Sequence, residues 1–511
     1  MHANIYTTAL MGVEAFPVHL EVDISRSGIP AFSMVGLAEG AVKESKERVF
    51  TALKNSGFKL PPSRITVNLA PADMRKAGSN YDLPLALSLL SALEIFPVSA
   101  LEGFYTAGEL SLDGSLSPIN GVLPMALKAR DNEARGLLVP EANAPEAAVV
   151  QGLTVYPVNN LGQVVNFLSG EQEITPYNLD LSEKFSQDKG FFVDFSEVKG
   201  QEHAKRAIEI AAAGGHNLLM AGPPGSGKSM LAKRIPTVLP PLEFQEALEV
   251  TKIYSVAGQL SQETPLVTQR PFRSPHHTIS DAGLVGGGHY PRPGEVSLAH
   301  QGVLFLDELP EFKKNVLEVL RQPLENGSVT ISRAAISLHY PGNFMLVAAM
   351  NPCPCGYLTD EKHACTCTQN QIQRYTSRIS GPLLDRIDLQ IEVPAVKYKE
   401  LKQTRDATDS ATMRDRIKQA RKIQLLRYQD LHFNTNHELS GSWLEKYCSL
   451  TEEEHDFLES AVQRLGLSAR AYTRILRIAR TIADLDGKEG ITVDQLAEAI
   501  NYRFLDRRNS Q

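Results

Sequence analysis

The sequence predicts an α/β protein: two sheet-bearing parts followed by a helical tail. Three observations carry that prediction. Residues 1–170 alternate short apolar runs with helical periods. The stretch Gly222-Pro-Pro-Gly-Ser-Gly-Lys-Ser229 lies between a strand-like run and a helix-like run. Four consecutive apolar residues, 303–306, end in Asp307-Glu308. The first pattern suits a sheet covered by helices. The other two suit a parallel sheet that ends at a ligand site.

In the front part, strands are expected at His19–Ile24, Ile65–Leu69, Gly136–Val139 and Thr154–Pro157. Helices are expected at Glu39–Ser56, Leu83–Leu93 and Gly121–Ala134. Residues 171–192 are polar, with mixed charge and little periodicity, so a linker is placed over 171–195. A second α/β unit is expected over 196–395. A helical region over 396–511 follows from periodic apolar positions at Leu444, Leu458, Val462, Ile475, Ile478 and Ile482. No internal repeat or low-complexity tract is present.

The octapeptide matches G-x-x-x-x-G-K-[ST], with a strand at Asn217–Ala221 before it and a helix from about Met230 after it. Gly222, Pro223, Pro224, Gly225, Ser226, Gly227, Lys228 and Ser229 are therefore the expected cradle for ATP phosphates. Glycines let backbone N–H groups close around the anion. Lys228 reaches the outer phosphates, and the Ser229 hydroxyl ligates Mg²⁺. Asp307 emerges at the end of a buried strand and holds the same ion through water. Glu308 polarises the attacking water. A further strand, Phe344–Ala349, ends at Asn351, whose amide suits orientation of that water.

Two more groups stand out. Cys353, Cys355, Cys365 and Cys367 place four of the five cysteines within 15 residues. Four thiolates suit tetrahedral Zn²⁺, although the usual pair spacing is wider than C-x-C. Reduced thiols with no metal are the alternative. Arg470, Arg474 and Arg477 are spaced along one helix face, read here as opposite Ile475, Ile478, Ala479 and Ile482 and directed outward.

Between the first two motifs lie Arg270-Pro-Phe-Arg-Ser-Pro-His-His277 and the glycine-rich 286–294, which suggest an excursion from the sheet. Val329–Arg333 is expected to pair with Ile336–His339 as a hairpin with Arg333 at its tip. An insert of this kind, plus a hairpin before the Asn351 strand, resembles the AAA+ branch that holds Mg-chelatase ATPase subunits and MCM helicases. The resemblance covers residues 196–511. It implies that Asn351 is sensor 1, that Arg386 in Leu383-Leu-Asp-Arg-Ile-Asp-Leu389 is an arginine finger acting in the neighbouring subunit, and that Arg470 is the sensor 2 arginine of a helical lid. It also implies that the hairpin projects into a pore, where Arg333 would meet DNA phosphates.

Residues 1–170 resemble a Lon peptidase-like domain, most clearly at Gly108-Glu-Leu-Ser-Leu-Asp-Gly114 and Pro118-Ile-Asn-Gly121. Asn80 and Leu123 fall where that family carries its serine and lysine, and Ser79 and Lys128 lie out of register. A serine without an amine to take its proton is a poor nucleophile, so a non-catalytic domain is expected. A Lon-like domain ahead of a Mg-chelatase-like AAA+ module is the arrangement of the YifB/ComM family. That resemblance implies a hexameric, ATP-driven DNA helicase that migrates branches during natural transformation, with single-stranded or branched DNA as partner.

Composition bounds these readings. The net charge of −7 excludes a uniformly basic coat, so any nucleic-acid contact is local. The run Arg414, Arg416, Lys418, Arg421, Lys422 and Arg427 is a candidate basic face. No apolar run reaches the ~18 residues of a membrane helix, and the first twenty residues do not form a leader, so a cytoplasmic protein without membrane partners is expected. A chelatase motor that inserts Mg²⁺ into a porphyrin is the alternative. An ATP-dependent protease is disfavoured by Asn80 and Leu123.

Overall fold

The computed structural model describes residues 2–27, 29–37, 40–181, 190–288, 291–333, 336–360, 362–396 and 408–503. The front part is a seven-stranded sheet. Its strands are β1 (His2–Met11), β2 (Glu14–Ser25), β3 (Ala31–Val35), β4 (Arg64–Ala70), β5 (Phe104–Thr106), β6 (Gly136–Pro140) and β7 (Val155–Val158), in the order β3-β4-β2-β1-β5-β6-β7. Three of the expected strands fall inside β2, β4 and β6, and Thr154–Pro157 overlaps β7 shifted by one residue. β1, β3 and β5 were not anticipated. β1 pairs with β2 along its whole length as an antiparallel hairpin, so a segment weak in β-signal gains a ladder from its neighbour. Helices α1 (Gly40–Asn55), α2 (Asp82–Ala92) and α3 (Val122–Asp131) lie where helical periods place them, and α4 (Leu161–Leu168) ends the unit.

The second sheet has five parallel strands: β8 (Leu218–Ala221), β9 (Phe272–Arg273), β10 (Val303–Leu306), β13 (Met345–Met350) and β14 (Leu389–Glu392). Between β10 and β13, an antiparallel hairpin forms from β11 (Ser328–Arg333) and β12 (Ile336–Pro341). The sheet order is β9-β10-β13-β8-β14. Every residue of β8, β10 and β13 is buried, which is why these strands read as unbroken apolar runs. Each such Val, Leu or Phe contributes about 1.5–3 kcal/mol through burial. Helices α5 (Glu202–Gly214), α6 (Lys228–Val238) and α7 (Phe244–Ala257) flank the sheet. The tail supplies α8 (Ser410–Arg427), α9 (Glu452–Leu465), α10 (Ala469–Leu485) and α11 (Val493–Asn501). Tail residues such as Met413, Ile417, Ile475 and Ile482 share one core with Leu218, Phe305 and Val347 of the sheet.

The two α/β parts are joined by a buried, largely apolar seam. Val122, Leu123 and Ala126 of α3 cluster with Ala247, Leu248 and Val250 of α7. Polar bonds cross it: the Gly121 N–H donates to the Ser255 carbonyl at 3.1 Å. The buried Glu146 carboxylate accepts from the Leu123 N–H at 2.9 Å and from the Ser255 hydroxyl. Burial raises the Glu146 pKa, with these bonds opposing it. Higher up, the β1–β2 turn meets the hairpin. Val13 clusters with Ile253, Leu298, Leu338 and Tyr340, and a Cβ on Gly12 would lie 3.1 Å from the His339 carbonyl.

Two expectations need correction. In α8, Arg414 donates to the Thr237 carbonyl at 2.8 Å, and Arg421 to the Ala212 carbonyl at 2.8 Å. Arg416 lies 3.5 Å from Glu209, and Arg427 bonds Asp484 at 2.9 Å. Arg414, Arg416 and Arg421 therefore tie the tail to the helices that flank the sheet, with Arg421 satisfying a carbonyl in the last turn of α5, while Arg427 ties α8 to α10. Lys418 and Lys422 remain exposed. In α10 the three arginines are not all outward. Arg474 stands four residues before the buried Ile478, hence on the same side. Its side chain is 11% exposed and faces Asp388, whereas that of Arg470 is 69% exposed.

Candidate nucleotide site and thiol cluster

Three adjacent strands deliver the candidate residues to one sheet edge. In the order β10-β13-β8, the carboxyl ends lead to Asp307, Asn351 and the phosphate loop respectively. This is the edge at which open parallel sheets bind ligands. α6 starts at Lys228, and Gly227 before it has φ +93°, a left-handed conformation that glycine adopts without strain at a helix N-terminus suited to phosphate.

Lys228 is buried, and its ammonium turns onto the loop. It donates to the Gly222 and Pro223 carbonyls at 2.7 and 2.9 Å, and lies 3.4 Å from both Ser226 Oγ and Asn351 Oδ1. Burial lowers its pKa, and Asp307 opposes that shift. The Ser229 hydroxyl donates to Asp307 Oδ2 at 2.6 Å. Two hard oxygens this close fit a shared Mg²⁺. Asp307 Oδ1 accepts from the Glu308 N–H at 3.0 Å. Glu308 itself has φ +54°, and its carboxylate lies 3.2 Å from His277 Nδ1. In the sequence His277 stands out only as part of the excursion. Its approach to Glu308 depends on strand order, which no local pattern reveals.

Arg386 follows the short helix Gly381–Leu384 and pairs with Glu325. Burial, then Arg321 and Arg470 nearby, lower its pKa. Asp385 binds Arg470 at 2.7 Å. Asp388 lies fully buried, 2.9 Å from His437 and 3.5 Å from Arg474, and accepts from the Asn217 N–H at 3.1 Å. Against the penalty of burial, His437 and His216 hold its pKa well below the usual carboxylate value. Asn217 also donates to the Arg386 carbonyl at 2.9 Å and accepts from the Leu346 N–H at 2.8 Å. The Arg386 segment is thus fastened both to the root of β8 and to the tail. Arg333 ends β11 opposite Ile336. Its side chain and the tip residues Ala334 and Ala335 lie outside the described residues.

The four thiols gather beside this edge. Cys353 Sγ lies 3.3 Å from Cys355 Sγ and 3.7 Å from Cys365 Sγ, and Cys355 Sγ lies 3.6 Å from Cys365 Sγ. All four sulfurs are within 4.8 Å of one another. Backbone N–H groups of Tyr357 and Thr366 hold the Cys355 thiol down, to about 5, while burial pushes Cys353 up.

In the front unit, Asn80 is buried and donates to the Thr8 carbonyl at 3.0 Å, Leu123 is fully buried in the seam, and Ser79 bonds Glu109. Among the described residues no helix is long and apolar enough to cross a membrane.

Fold and site together define a AAA+ protein of the Mg-chelatase type. Three family descriptions match: "Subunit ChlI of Mg-chelatase" over residues 20–143, "Magnesium chelatase, subunit ChlI" over 194–401, and "Magnesium chelatase, subunit ChlI C-terminal" over 407–503. The chain is 46% identical over 508 residues to competence protein ComM of Haemophilus influenzae, covering 99% of this chain and 98% of that one. It is 43% identical over 505 residues to YifB of Escherichia coli, covering 98% and 97%. The magnesium-chelatase 38 kDa subunit of Cereibacter sphaeroides is 25% identical over 175 residues, 31% of this chain and 52% of that one. The chain belongs to the YifB/ComM family.

Proposed function

We propose that the chain is a ring-forming, ATP-driven DNA motor: a cytoplasmic helicase that migrates branches during homologous recombination, as in natural transformation. The observation that supports this reading is the end-to-end likeness to a competence protein in a chain whose phosphate loop, Asp307 and Asn351 meet at one sheet edge. In this reading residues 1–170 are a non-catalytic Lon-like domain, 171–195 a linker, 196–395 the ATPase core and 396–511 the lid.

Gly222 to Ser226 and Gly227 wrap the phosphates, and Lys228 exchanges its carbonyl partners for the outer phosphate oxygens. Ser229 and Asp307 hold Mg²⁺, which neutralises charge on the phosphates. Glu308 leaves His277 and takes the proton of the attacking water, which Asn351 orients. Arg386 leaves Glu325 for the outer phosphate bound in a neighbouring subunit, and Arg470 supports the same nucleotide from the lid. Arg333 contacts DNA phosphates from the hairpin, with a hexameric ring around single-stranded or branched DNA. The reading also gives the chain a Zn²⁺ at Cys353, Cys355, Cys365 and Cys367.

ATP turnover is measured with and without single-stranded and forked DNA, alongside strand displacement. Strong stimulation with displacement is the expected result. Turnover unchanged by either DNA, with no displacement, overturns the reading. It would favour the second one, a chelatase-type motor that remodels a metal-insertion partner, which rests on the three chelatase-subunit matches.

A further inference from the structure

The thiol quartet is placed where a metal could act on the nucleotide pocket. The strap that carries it leaves β13 at Asn351, bears Cys353 and Cys355, turns, and returns through Cys365 and Cys367 to a helix at Gln369–Thr376. Three features bind this strap to the pocket. A Cβ on Gly356, which has φ +87°, would stand 2.6 Å from Cδ of Pro224 in the phosphate loop. The Asn351 amide faces Lys228 at 3.4 Å. Tyr375, on the returning helix, is buried in the same apolar cluster as Met350, the last residue of β13.

The sulfur geometry is that of a single-ion site. With Zn–S bonds of about 2.3 Å, a tetrahedron has edges of about 3.8 Å; the sulfurs of Cys353, Cys355 and Cys365 are separated by 3.3, 3.6 and 3.7 Å, and that of Cys367 lies within 4.8 Å of each. A disulfide would need about 2.05 Å, and a multi-iron cluster would need its thiolates much farther apart. The Cys355 N–H points at Cys367 Sγ and the Cys367 N–H at Cys365 Sγ, each at 3.4 Å. N–H donors of this kind orient sulfur ligands and stabilise their negative charge.

We propose that Cys353, Cys355, Cys365 and Cys367 bind one Zn²⁺, and that this ion clamps Gly356 onto Pro224, so that the metal sets the phosphate loop and Asn351 in register for nucleotide. The clamp rests on the Zn²⁺ assignment above, and the two can fail separately. It does not depend on DNA being the track. Loss of the ion frees both ends of the strap, and the loop loses a wall.

The test uses the full chain, purified without chelator. Zinc content is measured by atomic emission, and affinity by titration with a fluorescent ADP in excess Mg²⁺. About one zinc per chain is expected. A zinc-selective chelator should weaken ADP binding by about tenfold, the equivalent of about 1.4 kcal/mol, and added Zn²⁺ should restore it. Cys365→Ser with Cys367→Ser should reproduce the zinc-free state. Gly356→Ala, which crowds Pro224 without touching a thiol, should keep zinc yet lose ADP affinity. Protein that holds no zinc, even after incubation with Zn²⁺, overturns the metal site. Protein that holds zinc but binds ADP equally well with and without it overturns the clamp.

Discussion

Lys228 and Glu308 stand within one site yet should fail in different ways. Lys228→Ala removes the buried charge that now rests on the Gly222 and Pro223 carbonyls. Nucleotide binding and turnover should both be lost, as equilibrium ADP titration and phosphate release would show. Glu308→Gln keeps the shape but cannot take a proton. It should bind ATP normally while turnover falls by about 10²–10⁴-fold. A Glu308→Gln protein with wild-type turnover would rule Glu308 out as the base. Both residues were legible in the sequence because each lies in a contiguous motif with its own strand. His277 was not, because its contact with Glu308 joins the segment after β9 to the end of β10, and only the sheet order brings these together. The pairing of Arg386 with Glu325 is hidden for the same reason.

Among elements, the Arg386 segment and the hairpin make separable predictions. If Arg386 acts in a neighbour, mixing Arg386→Ala with Lys228→Ala subunits creates interfaces with both parts intact. ATPase activity should then partly return in the mixture, although each variant alone is inactive. Absence of any recovery, with both variants still assembling, would remove the finger assignment. Arg333→Ala belongs to β11. It should leave ADP affinity unchanged, weaken DNA binding without altering sequence preference, and lower the salt slope by about one released ion. Strand displacement should fall much more than basal turnover, and normal displacement would take the hairpin out of the mechanism. Element positions were mostly readable from periodicity, since buried strands and amphipathic helices write themselves locally. The orientation of the α10 arginines was misjudged. Wide apolar stripes place flanking arginines at the edge of the buried face, where Arg474 finds the carboxylate of Asp388 from another element. The α8 arginines show the same effect: charge density in the sequence became carbonyl capping and ion pairing in the fold.

At the scale of the molecule, the seam makes the front unit and the ATPase core share stability. Leu248 is 7% exposed and sits in the cluster that joins α3 to α7. Leu248→Asp would place a carboxyl with no described partner in that cluster, and whether it stays charged or protonates it costs the seam on the order of 2–7 kcal/mol, which weakens the link between the two parts. Calorimetry on the wild-type chain should show coupled melting of the two parts, and the variant should resolve two transitions. A variant that melts as one unit, at the wild-type temperature, would show that the seam carries no coupling. This contact was invisible in the sequence, where α3 and α7 are merely two helices in different units. It also gives mechanical meaning to the turn at Gly12 and Val13. That turn braces β12 at His339, Leu338 and Tyr340, near the root of the hairpin and away from its tip. A beam supported at its root bends less under a load at its end. Force applied at the hairpin tip would therefore pass into the front sheet as well as the ATPase core, making the front unit an anvil against which the hairpin is pushed.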